Sequence, residues 1–229
     1  MKIGILMAGH TSAEIAARHG DFDAMFRRLL DGHGFTFETW DVEGMDFPDA
    51  PSAADGWLVS GSKHGAYEDH AFIPPLEAFI RDVHAARVPL AGICFGHQIV
   101  AQALGGAVVK HPDGWALGHS RYALPGGEEI ALNAWHQDQV VALPPGARVL
   151  ASNAFCPVAA MAVGDHVLTV QAHPEFSNAV LDDYVRTRRG TGSYPEDRMD
   201  AAADTSRPID DARLGRAIAD FFKTGVPHV

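Results

Sequence analysis

The stretch Val88-Pro89-Leu90-Ala91-Gly92-Ile93-Cys94-Phe95-Gly96-His97-Gln98-Ile99-Val100-Ala101-Gln102-Ala103-Leu104-Gly105-Gly106 decides the fold. A short apolar run over residues 88–93 enters Gly92-Ile93-Cys94-Phe95-Gly96, and Ile99, Val100, Ala103 and Leu104 then recur on one face of a helix. A strand that turns at once into a helix about one residue is the Gly-x-nucleophile-x-Gly elbow, here with sulfur in place of oxygen. The tip residue is held in a strained backbone conformation, and side chains two positions to either side would collide, which accounts for Gly92 and Gly96. The turn lifts the Cys94 thiol to the carboxyl end of a sheet, the rim where open α/β folds carry their sites. It also sets the thiol at a helix N-terminus, where the positive end of the dipole favours thiolate. Against this stands the ordinary fate of a free cysteine, a buried and inert small hydrophobe.

Outward from the elbow, short apolar runs alternate with amphipathic stretches, the pattern of a mostly parallel sheet covered by helices on both faces. Strands are expected at residues 3–7, 35–40, 56–59 and 88–93. Phe22, Met25, Phe26, Leu29 and Leu30 recur at helical spacing, as do Leu76, Phe79, Ile80 and Val83, the latter after a Pro74-Pro75 start. From residue 107 to 170 the rhythm changes to closer-spaced β-like runs, at 116–124, 149–152, 158–163 and 167–170, which predict a mixed or antiparallel extension of the sheet. Residues 186–208 are polar and turn-rich, an expected exposed loop before a last helix with Leu214, Ala217, Ile218, Phe221 and Phe222 as its stripe. The expected fold is one α/β domain over residues 1–229, a flavodoxin-like three-layer arrangement.

A length of 229 residues with 47% hydrophobic side chains suits one domain with a well-buried core. The net charge of −11 argues against a nucleic-acid partner, which needs Lys and Arg along a line of phosphates. No run approaches the roughly 18 apolar residues of a membrane span, and two cysteines make no disulfide framework, so a reducing, cytoplasmic setting is expected. Thirteen histidines invite a metal, yet no His-Glu-x-x-His or Cys-x-x-Cys pair occurs. No metal and no cofactor are expected.

A thiolate that attacks an amide needs an imidazole to protonate the departing nitrogen and then to activate water, and the imidazole needs an acceptor to hold its tautomer. Val167-Leu168-Thr169-Val170-Gln171-Ala172-His173-Pro174-Glu175-Phe176 supplies both at the end of an apolar strand. In an extended segment His173 and Glu175, two apart, point the same way, with Pro174 stiffening the link. The plain alternative is a polar strand end. Cys156, in Asn153-Ala154-Phe155-Cys156-Pro157, has no elbow and is read as structural.

Together the elbow and His-Pro-Glu resemble the triad of the class I glutamine amidotransferases, carried there as Gly-x-Cys-x-Gly-x-Gln with His-Pro-Glu well downstream. The resemblance spans residues 2–184 and is most similar in texture to stand-alone domains that look like the glutaminase half of GMP synthase. It implies Cys94 as nucleophile, His173 as general acid and base, Glu175 as its orienter, and a γ-glutamyl thioester from which ammonia departs. The oxyanion needs two preorganised N–H donors. One is the N–H of Phe95, directly after the nucleophile. The family's glycine-rich oxyanion loop falls on Ser60-Gly61-Ser62-Lys63-His64-Gly65-Ala66-Tyr67, which suggests Gly61 and Ser62, although this loop departs from the Gly-Gly-Pro-Gly type of many members and also reads as a plain surface turn. The same loop is the expected mobile element. Gln98, one helical turn beyond Cys94, matches the glutamine that holds the substrate's amino-acid end. Asn133-Ala134-Trp135-His136-Gln137-Asp138 resembles the family's His-x-Asp segment beside the pocket, implying substrate contacts from Trp135, His136 and Asp138; a loop hydrogen-bond pair between His136 and Asp138 explains it equally well. His97 stands where the family has an apolar residue, on the pocket or on the acceptor side.

The expected substrate is therefore a small molecule, glutamine or another γ-glutamyl compound. No P-loop or synthetase segment occurs, so the ammonia goes either to a synthetase partner or to solvent. Protease-like relatives of the fold commonly place histidine directly after the cysteine, where this chain has Phe95, and a non-enzymatic binder is expected to have lost part of the triad.

Overall fold

The computed structural model describes residues 1–229. In chain order the strands are β1 (Lys2–Leu6), β2 (Thr36–Trp40), β3 (Gly56–Val59), β4 (Leu90–Ile93), β5 (Ala107–Lys110), β6 (Ala116–Ala123), β7 (Glu129–His136), β8 (Asp138–Ala142), β9 (Ala147–Ala151), β10 (Ala160–Val163) and β11 (Val167–Val170). The helices are α1 (Ala13–His19), α2 (Phe22–Leu29), α3 (Ile73–Ala85), α4 (Phe95–Ala103), α5 (Asn178–Arg188), α6 (Glu196–Ala202) and α7 (Asp211–Thr224). Seven strands make one sheet in the order β2-β1-β3-β4-β11-β10-β9, parallel as far as β11 and antiparallel beyond it.

Every residue of β3, β4, β10 and β11 is buried, which is why these strands read as unbroken apolar runs rather than as alternation. On one face Ile3, Ile5 and Met7 meet Met25, Phe26, Leu181, Ile218 and Phe222 from α2, α5 and α7. On the other, Leu6, Val59 and Leu90 meet Leu76, Ile80, Val83, Ile99 and Val100 from α3 and α4. Gly4 sits between Ile3 and Ile5 because the Trp57 ring needs its place: a Cβ there would lie 2.2 Å from Trp57 Cζ3. The α/β three-layer expectation thus matches the fold. No helix is long and apolar enough to cross a membrane.

Two expectations are corrected. The β-rich part is not one extension of the sheet: only β9, β10 and β11 join it, while β5 pairs β8 and β6 pairs β7 as separate antiparallel ribbons. Residues 186–208 are not simply an exposed loop either. Helix α5 runs on to Arg188, and α6 buries Met199 and Ala202, three residues apart on one face, with Ala202 seated on Gly118, where a Cβ would come within 2.6 Å of it. Two small apolar contacts among charged neighbours give too weak a periodicity to be read from sequence.

Candidate active site

The β4–α4 junction carries the expected strain. Cys94 has φ 55° and ψ −104°, outside the ordinary regions for a residue with a side chain. A Cβ on Gly92 would stand 2.5 Å from the Gly96 oxygen, and one on Gly96 only 2.2 Å from the Val59 oxygen. Gly92 therefore lets the turn close on itself, and Gly96 lets the closed turn pack against β3. Cys94 is 6% exposed, at the floor of a pocket of about 270 Å³. Its sulfur has a long contact, 4.0 Å, to the Trp135 carbonyl.

His173 follows β11. Its N–H bonds the Asn133 carbonyl of β7 at 2.9 Å, and its ring stacks on Phe176 with centroids 4.1 Å apart, with Phe22 beyond at 6.4 Å. His173 Nδ1 donates to Glu175 Oε1 at 2.7 Å, with both side chains almost wholly buried. The route to this bond differs from the extended segment expected: residues 173–176 form a tight turn, closed by Phe176 N–H on the His173 carbonyl at 3.2 Å, and the turn brings the carboxylate back under the ring. Burial works against a charged imidazole, but the Glu175 carboxylate and the Cys94 sulfur outweigh it and raise His173 to about 10.

Gly61 abuts His173; a Cβ there would lie 3.1 Å from His173 Cε1. The Gly96 N–H is taken by the Ser60 carbonyl and the Gln98 N–H by the Cys94 carbonyl, whereas neither the Gly61 nor the Phe95 N–H enters a turn or cap hydrogen bond. Ser60 is fully buried, its Oγ accepts the Ala8 N–H at 2.9 Å, and Tyr67 donates to Asp138 Oδ1 at 3.1 Å. Ser62 borders the pocket and accepts the His64 N–H.

Gln98, Trp135, His136 and Asp138 all line the pocket. Gln98 Nε2 donates to the Asp138 carbonyl at 2.9 Å and to Gln171 Oε1 at 3.2 Å, so its amide is aimed before any ligand arrives. His136 and Asp138 are the ends of β7 and β8, and no side-chain pair joins them: His136 Nδ1 donates to the Asp138 backbone carbonyl. Burial lowers His136 to about 3, and its Nε2 is buried without a partner. A neutral acceptor therefore faces the pocket wall.

His97 is corrected outright. It lies in the core, where Nε2 donates to the Val158 carbonyl at 3.0 Å and Nδ1 accepts from Thr169 Oγ1 at 2.7 Å, and burial lowers it to about 4. It ties α4 to β11 and borders no part of the pocket. The walls that sequence reasoning missed come from far along the chain. Trp115 and Trp135 each meet the Tyr194 ring edge-on, at 4.7 and 5.1 Å, and Arg188 and Thr11 border the pocket with Nε and Oγ1 buried and unpartnered. No local motif marks Trp115, Tyr194, Arg188 or Thr11.

The chain matches the family model for class-I glutamine amidotransferases over residues 33–187. It is 31% identical over 242 residues to a glutamine amidotransferase-like protein of Schizosaccharomyces pombe, covering 96% of this chain and 98% of that one. Gamma-glutamyl peptidase 4 of Arabidopsis thaliana is 30% identical over 197 residues, 79% of this chain and 78% of its own. The similarity to GMP synthase of Bordetella parapertussis, 34% over 142 residues, covers 55% of this chain and 26% of that enzyme. In fold, a solved glutamine amidotransferase from Methylobacillus flagellatus aligns with a TM-score of 0.78 over 100% of this chain and 96% of that one, at 22% identity. Since the family model spans more than half of the chain and the fission-yeast relative matches nearly all of it, this chain belongs to the class-I glutamine amidotransferases.

Proposed function

We propose that this chain hydrolyses a γ-glutamyl amide bond through a cysteinyl thioester, and that its preferred substrates are γ-glutamyl compounds whose amide nitrogen carries a further group. The observation that carries the chemistry is His173, held by Glu175 at 2.7 Å, lining the same pocket as a cysteine on a strained turn at its floor. Cys94 Sγ attacks the amide carbonyl, and the oxyanion takes the N–H groups of Phe95 and Gly61. The C–N bond breaks as His173 gives its proton to the nitrogen. Neutral His173 then takes a proton from water, whose oxygen displaces the sulfur and regenerates the imidazolium. Gln98, Ser62, Trp135, His136 and Asp138 hold the glutamyl end.

The substrate reading is supported by the extra wall of Trp115, Tyr194 and Arg188, which gives a leaving group aromatic faces and a cation. The likeness to a γ-glutamyl peptidase also runs through 79% of the chain, against 55% for GMP synthase. A second reading, a glutaminase that passes ammonia to a synthetase partner, is favoured by that GMP synthase similarity. Two free, buried cysteines suit the reducing cytoplasm. The deciding measurement is kcat/KM on the purified protein for glutamine and a panel of γ-glutamyl peptides. We expect at least one peptide to exceed glutamine by about tenfold or more. Negligible rates on every compound, restored by an added synthetase, would overturn the preference in favour of the glutaminase.

A further inference from the structure

The loop at the pocket mouth carries a second group of side chains that the hydrolysis does not use. His64, Glu68 and His70 each offer one donor atom, and these atoms lie within 4.8 Å of one another. His70 Nε2 donates to Glu68 Oε2 at 2.9 Å, and His64 Nδ1 stands 3.9 Å from the same oxygen. The other His64 nitrogen, Nε2, meets Glu43 Oε1 at 2.8 Å. A carboxylate only accepts, so Nε2 carries the hydrogen. His64 Nδ1 is the nitrogen left for a further ligand, and it lies on the Glu68 side of the ring. The carboxylate–histidine pair behind, Glu43 on His64, is the arrangement that orients metal-ligating imidazoles. Both rings are further fixed by packing, with centroids 4.0 Å from each other and 5.6 and 6.0 Å from Phe72. Ligands around a tetrahedral ion with bonds of about 2.0–2.2 Å stand roughly 3.3–3.6 Å apart, a spacing bracketed by the 2.9 and 3.9 Å separations of Glu68 Oε2 from the two imidazoles, and two histidines with one carboxylate suit zinc.

We propose that His64 Nδ1, Glu68 Oε2 and His70 Nε2 bind a divalent transition-metal ion of the zinc class, oriented by Glu43. The ion takes the place on Nε2 of the hydrogen that His70 now gives to Glu68, and that hydrogen moves to Nδ1, so the ring ligates as a neutral tautomer. Because His64 and Glu68 also border the pocket, it places positive charge at the mouth through which an anionic γ-glutamyl compound enters. Sequence inspection passes over the group because His-x3-Glu-x-His is not a familiar metal spacing and the orienting Glu43 lies on a different segment.

The test uses the Cys94→Ala protein, so that no reactive thiol competes for metal. Isothermal titration with zinc chloride should give one equivalent, and cobalt chloride should give the visible absorption of a tetrahedral site. His70→Ala and Glu68→Gln on that background should abolish the cobalt spectrum, while Glu43→Ala should weaken zinc by about 10- to 100-fold. Circular dichroism identifies any variant that fails to fold, and His64→Asn supplies an alternative to it. No zinc binding by Cys94→Ala, or binding that survives loss of His70 and Glu68, overturns the site, and neither result depends on which γ-glutamyl compound is the substrate.

Discussion

Replacing Glu175 with glutamine keeps the shape of the orienter and removes its charge. Glu175 Oε1 accepts from His173 Nδ1 at 2.7 Å in a nearly water-free place. A buried hydrogen bond to a charged group is worth about 1.5–3 kcal/mol. At about 1.4 kcal/mol per pKa unit, the imidazolium should lose about one to two units, starting from about 10. Losing a negative neighbour disfavours the cation, so the alkaline limb of kcat/KM, where His173 gives up its proton, moves down by that amount. If the same energy is missing from the transition state, kcat/KM on the plateau falls by about 10- to 150-fold. His173→Ala should lose more, since it removes the proton carrier itself. The assay is kcat/KM against pH for the parent and both variants on the best γ-glutamyl substrate. An alkaline limb that stays in place, or a Glu175→Gln loss deeper than that of His173→Ala, would refute the assignment of roles.

Further outcomes follow from the same geometry. Cys94→Ala should fold normally and turn over nothing, and a glutamine-like electrophile should label Cys94 while sparing Cys156, whose thiol burial pushes up to about 12; equal labelling of the two would contradict the nucleophile. Gly96→Ala should cost about 3 kcal/mol or more in urea unfolding, because its Cβ would meet backbone rather than a yielding side chain, and an unchanged midpoint would show that the elbow can open. His97 and His136 are held at about 4 and about 3, below the ordinary 6.5, so they favour the folded state above pH 6.5 and withdraw that support as pH falls. Each should contribute a slope of roughly 1.4 kcal/mol per pH unit below the unfolded value, and stability that stays flat on acidification would contradict their burial as neutral rings. His173 runs the other way: its contribution is complete below pH 6.5 and is lost as pH rises toward about 10.

The sequence by itself determined the parts of this protein whose physics is local. Gly92 is demanded by a collision with Gly96 within five residues, whereas Gly96 makes room for the Val59 carbonyl of the neighbouring strand; the apolar runs at Gly56–Val59 and Val167–Val170 are complete in themselves because both faces of those strands are covered. His-Pro-Glu announced a histidine and a carboxylate in reach of one another, but the turn that brings them to 2.7 Å is closed by the Phe176 N–H on the His173 carbonyl, and the imidazole is held by stacking on Phe176. Only the tertiary structure decided where His97 points, since a histidine in a buried helix goes wherever a hydroxyl and a carbonyl, here Thr169 and Val158, can satisfy both nitrogens. It alone joined Trp115 to Tyr194, placed Arg188 on the pocket wall, and set Glu43 behind His64. These contacts link segments far apart in the chain, and no spacing in the sequence records which of two distant residues will meet, because that choice is made by how helices and ribbons close over the carboxyl edge of the sheet.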